Sequence, residues 1–472
     1  MSVSKIVAAA ASGFGSDPLD VDDVFSTFLY EGTGANIAID NGIDLSGEGG
    51  LVWYRRRDGA ENNSIEDTVR GLDKVIYTDS TNAQADPGAY GLQAFNSNGF
   101  TAGLNTSGGD YVSWTFRKAP KFFDVVTYSG TGSAQNINHS LGSNPGMIII
   151  KSTSNSENWQ VWHRSVNGDN LELDNTGAGY TSARITGVNS NFFTLGTFNT
   201  SNGSGQTYVA YVFAHNDSGD GEFGPDGDQD IIKCGFYSGV GSGSSKTVNL
   251  GFEPQFVLLK NYSSSSAWSI VDSMRGLVTG GNDQTIEANA NGAEYAADLI
   301  DLTSTGFVTK SNFSNSNTSG HVFLYMAIRR GPLAVPEDAT KVFAIDTQGS
   351  TGDGAEPSYR TTFPVDMVIQ KSTAGGGSTL ATRLTGTKKL VPESTAAEAN
   401  YTTGYFDYMN GWRETTSTYA PNYGYMWKRA PSYFDVVCYT GSGNNSTRMV
   451  DHNLTVKPEM VWIKRRSGDI AQ

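Results

Sequence analysis

The chain has 472 residues, a formal net charge of −15 at pH 7, 56 glycines, and 23 Phe, 22 Tyr and 8 Trp residues. So acidic a chain argues against nucleic acid as the main partner and against an anionic membrane face, because both require a basic surface. The aromatic content argues against disorder, and no apolar run approaches the roughly 20 residues of a membrane-spanning helix. Turn residues between aromatic and β-branched runs predict an all-β fold with many short strands.

The first 24 residues precede the first β-rich segment. After Lys5, the apolar run 6–11 is shorter than the roughly 7–15 residues expected of a secretory signal. We therefore interpret residues 1–24 as a short helical or disordered N-terminal arm.

An opening strand with a glycine after it recurs along the chain. The clearest pair is FFDVVTYSGTG at 122–132 and YFDVVCYTGSG at 433–443, and further copies lie at 25–34, 231–241 and 340–350. The glycines that mark the copies are Gly32, Gly130, Gly239, Gly349 and Gly441. Copies spaced about 100 residues apart are domains and not short solenoid repeats, so each unit is expected to bury its own core.

A second block consists of a Pro or Gly turn and a post-turn strand. It reads INHSLGSNPGMIIIKS at 137–152, TVNLGFEPQFVLLKN at 247–261 and MVDHNLTVKPEMVWIKR at 449–465, with variants at 43–56 and 361–372. The apolar run shows no alternation, which predicts a strand covered on both faces or one in a sandwich core. The strand ends in a base, which is Arg55, Lys151, Lys260, Lys371 or Lys464. We expect these bases to reach solvent or to pair with a neighbouring carboxylate.

An aromatic-rich closing strand ends each unit, at 111–120, 208–216, 322–332 and 423–431. The strand count and turn spacing predict tandem β-sandwich modules of jelly-roll or lectin-like layout, four complete and one partial. The predicted divisions are an arm at 1–24, modules at 25–120, 121–216, 231–332 and 340–431, linkers at 217–230 and 333–339, and a partial module at 432–472.

The tandem order suggests an extended protein, with bending at the two linkers and fixed angles at the tight junctions 118–122 and 428–433. The partial module lacks a closing strand, which would leave apolar strands uncovered. We expect the natural chain to continue, and the alternative is pairing with another subunit.

Candidate chemistry is sparse. The histidines are His139, His163, His215, His321 and His452. Only His139 and His452 match between units, and Val248 is taken as the corresponding position in the third unit. An exchange of His for Val indicates a half-buried strand position and not a general base. Since HExxH, GxSxG, Walker A and paired CxxC motifs are absent from the sequence, we predict no enzyme, no catalytic residue and no cofactor.

Two weaker sites are considered. Asp226, Asp228 and Asp230 alternate in the acidic linker, and alternate oxygen ligands suit Ca²⁺, but the EF-hand pattern fails and a solvated linker is preferred. Cys234 and Cys438 lie in apolar runs, so we interpret them as buried hydrophobes.

Aromatic residues raise the alternative of a carbohydrate-binding adhesin, although most aromatics at alternating strand positions are core. The candidates for a sugar platform are Trp159, Trp162, Trp268, Trp412, Trp427 and the Tyr-rich stretch 401–425. A polysaccharide depolymerase is a second alternative. It needs two carboxylates roughly 5–10 Å apart in a cleft, and none recurs in register.

The segments DNGIDLSGEGGLVWYRRRD, DYVSWTFRKAPKFFDVVTYSGTG and HSLGSNPGMIIIKS resemble a repeated domain of virion proteins from tailed phages, many of which infect marine bacteria and cyanobacteria. The resemblance begins near Val24 and covers nearly the whole chain, with the fourth unit departing most. It implies a structural tail fibre or tail appendage, made in the host cytoplasm and assembled into the virion.

In that picture residues 1–24 dock onto other tail or baseplate proteins. A homo-oligomer, with a trimer by analogy, and contact with a host-surface glycan or protein are further expectations. Nucleic acid binding and membrane insertion are not expected.

Overall fold

The computed structural model describes residues 18–166, 168–310, 314–348, 356–372, 375–415, 422–441, 443 and 447–468. The fold is all-β, with 41% of residues in strands and 4% in helices, and its antiparallel sheets form several β-sandwich-like modules. The predicted fold class is confirmed. Within the described ranges no helix has the length and apolar character needed to cross a membrane.

Module 1 has two sheets. A 3-10 turn at Val21–Asp23, capped by the Asp20 side chain, leads into it, and a second 3-10 turn lies at Gly88–Tyr90. Its strands are β1 (Phe25–Glu31), β2 (Ile37–Asp40), β3 (Gly50–Arg56), β4 (Ser64–Asp67), β5 (Ile76–Tyr77), β6 (Leu92–Asn96), β7 (Gly99–Ala102) and β8 (Asp110–Arg117). The large sheet has the order β1-β8-β3-β4-β5 and the small sheet β2-β7-β6.

Module 2 repeats this plan, with a short helix at Asn199–Asn202 before its closing strand. Its strands are β9 (Phe123–Ser129), β10 (Gln135–Asn138), β11 (Pro145–Ser152), β12 (Gln160–His163), β13 (Asp169–Glu172), β14 (Tyr180–Thr181), β15 (Ile185–Val188), β16 (Phe192–Leu195) and β17 (Thr207–Ala214). The sheets are β14-β13-β12-β11-β17-β9 and β10-β16-β15.

Module 3 is built in the same way, with a short helix at Ser314–Asn317. Its strands are β18 (Ile232–Ser238), β19 (Thr247–Asn249), β20 (Pro254–Asn261), β21 (Trp268–Asp272), β22 (Asp283–Glu287), β23 (Tyr295–Ala297), β24 (Ile300–Thr303), β25 (Gly306–Thr309) and β26 (Val322–Arg329). The sheets are β18-β26-β20-β21-β22-β23 and β19-β25-β24.

Module 4 is the most irregular, with 3-10 turns at Ala339–Lys341 and Arg383–Thr385. Its strands are β27 (Phe343–Thr347), β28 (Tyr359–Arg360), β29 (Met367–Ser372), β30 (Ser378–Thr382), β31 (Lys388–Lys389), β32 (Ala399–Asn400), β33 (Gly404–Tyr405), β34 (Gly411–Glu414) and β35 (Asn422–Trp427). Its sheets are β27-β35-β29-β30, β28-β34-β33 and β31-β32. The described residues of 433–468, which we call the C-terminal segment, contain no strand.

In all four modules the closing strand lies between the opening strand and the post-turn strand. In module 1, Phe116 of the closing strand is paired with Phe25 on one side and with Leu51 on the other. Because the opening and post-turn strands are joined only through it, the strand that comes last in the module holds the large sheet together.

Modules 1 to 3 share one core instead of following one another as separate domains. Large-sheet residues of all three belong to a single apolar cluster, which includes Trp114, Phe116, Tyr211, Phe213 and Phe256. The Phe116 ring centroid lies 5.5 Å from that of Phe213 and 6.1 Å from that of Phe256. Modules 1 and 3 also have apolar clusters of their own between their two sheets, in agreement with the expectation that each unit buries a core. The expectation of an extended arrangement is wrong for modules 1 to 3, which close into one body that we call the ring (residues 20–332).

The ring explains the apolar post-turn strands. Every residue of β11 and of β20 is buried. One face of each large sheet packs on the small sheet of its own module, and the other faces the neighbouring modules. The prediction of a strand covered on both faces is confirmed, and the outer apolar face is the reason why the modules associate.

The recurring glycines mark one close backbone approach. A Cβ atom on Gly32 would lie 2.2 Å from Thr106 O, one on Gly130 2.2 Å from Gly203 O, and one on Gly239 2.2 Å from Thr318 O. In each case the oxygen belongs to the loop before the closing strand. Only glycine allows that loop to seat against the end of the opening strand.

The acidic linker is folded. Phe223 is buried and forms an isolated bridge with Leu19, while Gly224 N–H donates to Leu19 O at 2.8 Å. The linker is therefore held in place by Leu19, which lies in the segment before β1. This is contrary to the expectation that the linker permits bending.

The segment that precedes β1 also holds the second linker. The Asp20 carboxylate accepts hydrogen bonds from Leu333 N–H and Ala334 N–H, at 2.9 and 3.0 Å. Val21 and Val24 are fully buried, so the folded chain begins before the predicted arm boundary at residue 24. Residues 1–17 of that arm lie outside the described residues.

Candidate functional site

Three strand-end bases join the modules of the ring. Lys151 Nζ donates to Thr81 O of module 1 at 2.7 Å, and Lys260 Nζ donates to Thr176 O of module 2 at 3.0 Å. Arg55 of module 1 donates to Ala290 O of module 3 at 3.0 Å, which closes the circle. All three side chains are fully buried. The expectation that they reach solvent or pair with carboxylates is wrong, because each donates to carbonyl groups of a neighbouring module.

Burial lowers the pKa values of these three bases. It lowers the pKa of Lys151 to about 8, that of Lys260 to about 8 and that of Arg55 to about 10. Carbonyl oxygens compensate only part of the lost hydration, because hydrogen bonds from a charged donor contribute about 1.5–3 kcal/mol each. Lys151 and Lys260 each donate to one carbonyl oxygen of their own module and one of a neighbouring module, so each buried cation links two modules.

A second set of contacts follows the closing strands around the same circle. Tyr211 OH donates to Asp67 Oδ2 at 2.9 Å, and Trp114 Nε1 donates to Asp272 Oδ2 at 3.0 Å. At the third junction His163 Nε2 lies 3.2 Å from Tyr325 O. Each closing strand thus meets the strand beside the post-turn strand of a neighbouring module, and the polar link is buried in every case.

Indole donors add a third set. Trp159 Nε1 donates to Tyr77 O of module 1 at 2.9 Å, and Trp268 Nε1 donates to Glu172 O of module 2 at 2.9 Å. In module 1 the corresponding contact is made by Asn63, whose Nδ2 donates to Ala290 O of module 3 at 2.8 Å. The ring therefore has approximate threefold internal symmetry within one chain.

The remaining two strand-end bases differ from these. Lys371 of module 4 is exposed and donates to Gly376 O of its own module at 3.2 Å. Lys464 in the C-terminal segment donates to Ser394 O of module 4, which is a contact between units like those of the ring.

A cleft of about 310 Å³ lies where modules 1, 3 and 4 meet. Two of its carboxylates are bound by Arg429. The guanidinium of Arg429 donates to both carboxylate oxygens of Glu253, at 2.7 and 2.6 Å, and its backbone N–H donates to Asp366 Oδ2 at 2.7 Å. Asp22 lies 3.9 Å from Lys428 Nζ. Asp40 also lines the cleft, so among the described residues its carboxylates number four, of which Glu253 and Asp366 are bound by Arg429.

The register of the recurring histidine needs a correction. Ile137 pairs with Phe193, and Val248 pairs with Phe307, so Val248 corresponds to Ile137. The counterpart of His139 is Leu250, because the turn before the proline is shorter in module 3.

His139 is buried in a local turn. Its Nδ1 accepts from Leu141 N–H at 3.3 Å, and Nε2 lies 3.1 Å from Asn189 O. Burial lowers its pKa. His452 makes the same turn contact with Leu454 N–H at 3.3 Å. The pair is matched by turn geometry, which supports a packing role.

The other histidines also bind protein groups. Burial lowers the pKa of His163 and of His215 to about 4 each. His215 Nδ1 accepts from Cys234 N–H at 3.1 Å, and His321 Nδ1 lies 3.1 Å from Asn261 Nδ2. None of the five histidines lines the cleft.

The cysteines are packing residues. Cys234 is buried with Sγ 3.6 Å from Ala214 O, and burial raises the pKa of its thiol. Cys438 is partly buried, and burial raises its pKa as well. The expectation of buried hydrophobes is confirmed for Cys234 and holds in part for Cys438.

The weak calcium candidate is not assembled. Among the described residues no three His, Cys, Asp or Glu side chains are grouped to hold a metal ion, so Asp226, Asp228 and Asp230 do not converge. Asp230 instead accepts from Gly219 N–H at 3.1 Å and lies 3.5 Å from Lys233 Nζ.

The tryptophans of the proposed sugar platform are largely internal, whereas Tyr405 and Tyr423 of the stretch 401–425 are 37% and 40% exposed. Trp159, Trp162, Trp268 and Trp412 are buried, and Trp427 is partly buried. The candidate stretch 401–425 includes residues 416–421, which lie outside the described residues. Sequence reasoning missed the links between modules, although Trp159 and Trp268 at equivalent positions were a signal for them.

A model of a family described as a domain of unknown function (DUF7483) matches residues 20–332. This span is the ring, from the cap residue of its first turn to the third residue after β26. A search of curated proteins gave no match.

Proposed function

The chain belongs to the DUF7483 family of domains of unknown function, and from this premise we propose that it is a structural component of a tailed-phage virion, a tail fibre or tail appendage that is docked through its N-terminus. The observation that carries the proposal is the ring. Three modules are fused into one body by buried side chains, and this arrangement suits a building block that must keep its shape.

The residues that recur in the three modules support a structural role over a catalytic one. What recurs in the three modules is a glycine at a close approach, a base directed at carbonyl groups, and an aromatic closing strand. These groups hold modules together, and their polar atoms are occupied by protein partners.

The placement of aromatic residues weighs against the adhesin alternative. A sugar platform needs exposed rings, whereas Trp159, Trp162, Trp268 and Trp412 are interior. If the virion protein contacts a host surface, we propose that it does so through loops, where Tyr90 is 72% exposed.

The experiment is labelling of assembled particles. A tag is placed before residue 1, and a matched tag is inserted after Gly142, an exposed loop glycine with no neighbour within 4 Å of a built Cβ. Purified phage particles are then imaged with a gold-conjugated antibody, and their proteins are quantified by mass spectrometry.

We expect the protein to copurify with particles in fixed stoichiometry, with both labels on the tail and the N-terminal label closer to the attachment point. Absence of the protein from washed particles would refute the virion assignment. Equal distances for the two labels would refute attachment through the N-terminus.

A further inference from the structure

One of the three junctions in the ring lacks a feature that the other two share. In the other two, a buried Asp–Arg ion pair of one module accepts a hydrogen bond from an aromatic side chain of its neighbour. The pairs are Asp67–Arg70, bound by Tyr211 across the junction of modules 1 and 2, and Asp272–Arg275, bound by Trp114 across the junction of modules 1 and 3. Each of these junctions therefore contains a carboxylate that is held by side chains of both modules.

At the junction of modules 2 and 3 the equivalent positions carry other residues. His163 pairs with Met147 in the register in which the two aspartates pair with the post-turn strands of their own modules, so His163 replaces the aspartate. Val166 replaces the arginine, and Met326 replaces the aromatic donor. This junction thus has an imidazole where the other two have an ion pair.

Both ring nitrogens of His163 are used in the closed junction. Nδ1 accepts from Ser165 N–H at 3.2 Å, and Nε2 lies 3.2 Å from Tyr325 O of module 3. An Nδ1 that accepts a hydrogen bond carries no proton, so the imidazole is neutral and Nε2 is the donor. A proton added to Nδ1 would face the Ser165 N–H, which is itself a donor. The closed junction therefore fits the neutral imidazole and not the imidazolium.

A second histidine crosses the same junction through its Nδ1. His215 follows β17 of module 2, and its Nδ1 accepts from Cys234 N–H of β18 at 3.1 Å. The imidazole of His215 is half-buried. Protonation of this Nδ1 would likewise place two donors against each other, so both links depend on an unprotonated nitrogen.

The charged groups near His163 oppose its protonation. Burial, together with the nearby Arg164 and His215, lowers the pKa of His163 to about 4. Burial is also the main reason why the pKa of His215 is lowered to about 4. Two bases oppose and two carboxylates favour the protonation of His215, and these four groups are Arg164, Lys233, Asp217 and Asp220. The Asp217 side chain is 66% exposed, so solvent weakens its effect.

Strand β18 is packed closely on module 2 at this place. Cys234 is 1% exposed, with Sγ 3.6 Å from Ala214 O, and a Cβ on Gly146 would lie 2.8 Å from the same sulfur. His163 is 2% exposed. Because a buried charge needs hydration or a partner, an imidazolium at His163 regains water only when β18 moves away from module 2.

We propose that the junction of modules 2 and 3 is an acid-sensitive seam, at which β18 separates locally from β11 and β17 when His163 and His215 bind protons, while the other two junctions stay closed. In the separated state both imidazoles are hydrated, and each titrates near its ordinary pKa of 6.5. The separated state therefore gains population as the pH falls from 6.5 towards 4. Modules 2 and 3 remain attached to module 1 through the two Asp–Arg links, so the ring opens without unfolding.

The test uses Cys234 as the reporter of this opening, because its thiol is buried in the seam. The reagent is 4,4′-dithiodipyridine, which forms a mixed disulfide with an accessible thiol at acidic as well as neutral pH. The full chain carries Cys438→Ser, so that Cys234 is its single thiol. The labelling rate at pH 7 and at pH 5 is divided by the rate for the same chain unfolded in urea at that pH, which gives the opening equilibrium.

A matched control places the thiol at the junction of modules 1 and 2. Val125 occupies the position of Cys234 in module 2, and it pairs with Tyr211, whose hydroxyl binds Asp67 of module 1. The control chain exchanges the two residues through Val125→Cys and Cys234→Val, again with Cys438→Ser. Unfolding of the whole ring exposes the thiol of either chain, whereas opening of the seam exposes only the thiol at 234.

We expect the opening equilibrium at Cys234 to rise about 20-fold or more between pH 7 and 5, since one imidazole whose pKa moves from about 4 to 6.5 accounts for that factor. The thiol of Val125→Cys should change by less than about threefold, because no imidazole links modules 1 and 2 at that position. His163→Gln keeps a donor for Tyr325 O and should remove most of the rise. The comparison of the two thiols does not depend on this variant.

Two results would overturn the proposal. One is a rise of equal size at both thiols, which would mean that acid loosens the whole ring. The other is an unchanged opening equilibrium at Cys234. A full rise that persists when His163→Gln and His215→Gln are combined would also refute the assignment to these imidazoles.

Discussion

The same opening sequence has two outcomes in this molecule. FDVVTYS at 123–129 forms strand β9, whereas FDVVCYT at 434–440 forms no strand. The two sequences differ in two residues, so local preference does not explain the difference. The first has β17 beside it, and the second has no closing strand within the described residues. Strand formation here depends on pairing and burial more than on intrinsic propensity.

The comparison extends to the strand-end bases. In the ring Arg55, Lys151 and Lys260 are buried among carbonyl groups of a neighbouring module. In module 4 Lys371 remains exposed. A base at the end of a post-turn strand therefore links two modules only where a neighbouring module supplies the carbonyl groups.

The largest expected effect concerns the attachment of module 4. Arg429 is 5% exposed and holds Glu253 and Asp435. Arg429→Ala leaves two buried carboxylates without their main cation, so we expect a loss of about 3–5 kcal/mol in the docking of module 4. The matched change Lys118→Ala removes a partly exposed pair with Asp124 and should cost at most about 1 kcal/mol.

The docking of module 4 is measured by amide exchange of Met367–Ser372 as a function of urea. Equal effects of the two variants would show that burial of the junction does not distinguish the ring from the chain after it.

The next effect concerns the apolar post-turn strands. Ile150→Ala opens a cavity in the shared core, and we expect it to lower the free energy of unfolding of the ring by about 2–5 kcal/mol. Ile463 occupies the equivalent position and is 59% exposed, so Ile463→Ala should change stability by no more than about 0.5 kcal/mol. Urea denaturation checks both, and a large effect of Ile463→Ala would mean that the C-terminal segment is already covered.

A third prediction concerns the stability of the ring at acidic pH. The pKa of His163 is about 4 in the folded ring, because burial disfavours the imidazolium, against an ordinary value of 6.5. Between pH 6.5 and 4 the unfolded chain binds a proton that the folded chain does not, so stability falls as the pH falls through this window. The full effect is roughly 3 kcal/mol.

His163→Gln keeps a donor for Tyr325 O and removes this titration. We expect its free energy of unfolding to depend less on pH between 6.5 and 4 than that of the parent chain. Superimposable profiles for parent and His163→Gln would contradict the assignment.

Much of the module could be predicted from sequence. The strands, the turns and the β-sandwich class were predicted from sequence patterns that recur between the units. Each of these features depends on a local pattern, such as the apolar run 147–150. The burial of Cys234 followed from its apolar neighbours. These features depend on a residue's own strand.

The ring could not be predicted in that way. The contacts of Lys151 with Thr81 O and of Trp114 with Asp272 join residues far apart in sequence, and a carbonyl oxygen leaves no trace in the identity of its residue. The strand-end base was noticed, but a surface position was assumed for it. A strand that is apolar on both faces was the clue that a second covering layer existed.

The smallest expected effect separates the two regions at one glycine. In Gly130→Ala the new Cβ would lie 2.2 Å from Gly203 O, so the loop before β17 must move, and we expect a loss of about 1–3 kcal/mol in urea denaturation. Gly441→Ala meets open space and restricts the unfolded chain, so it should be neutral or stabilising by up to about 1 kcal/mol. If both substitutions destabilise equally, the space beside Gly441 is already filled, and the contrast between the ring and the C-terminal segment would not hold at this position. If they differ as expected, the marker glycine is required only where a completed module brings a loop against it.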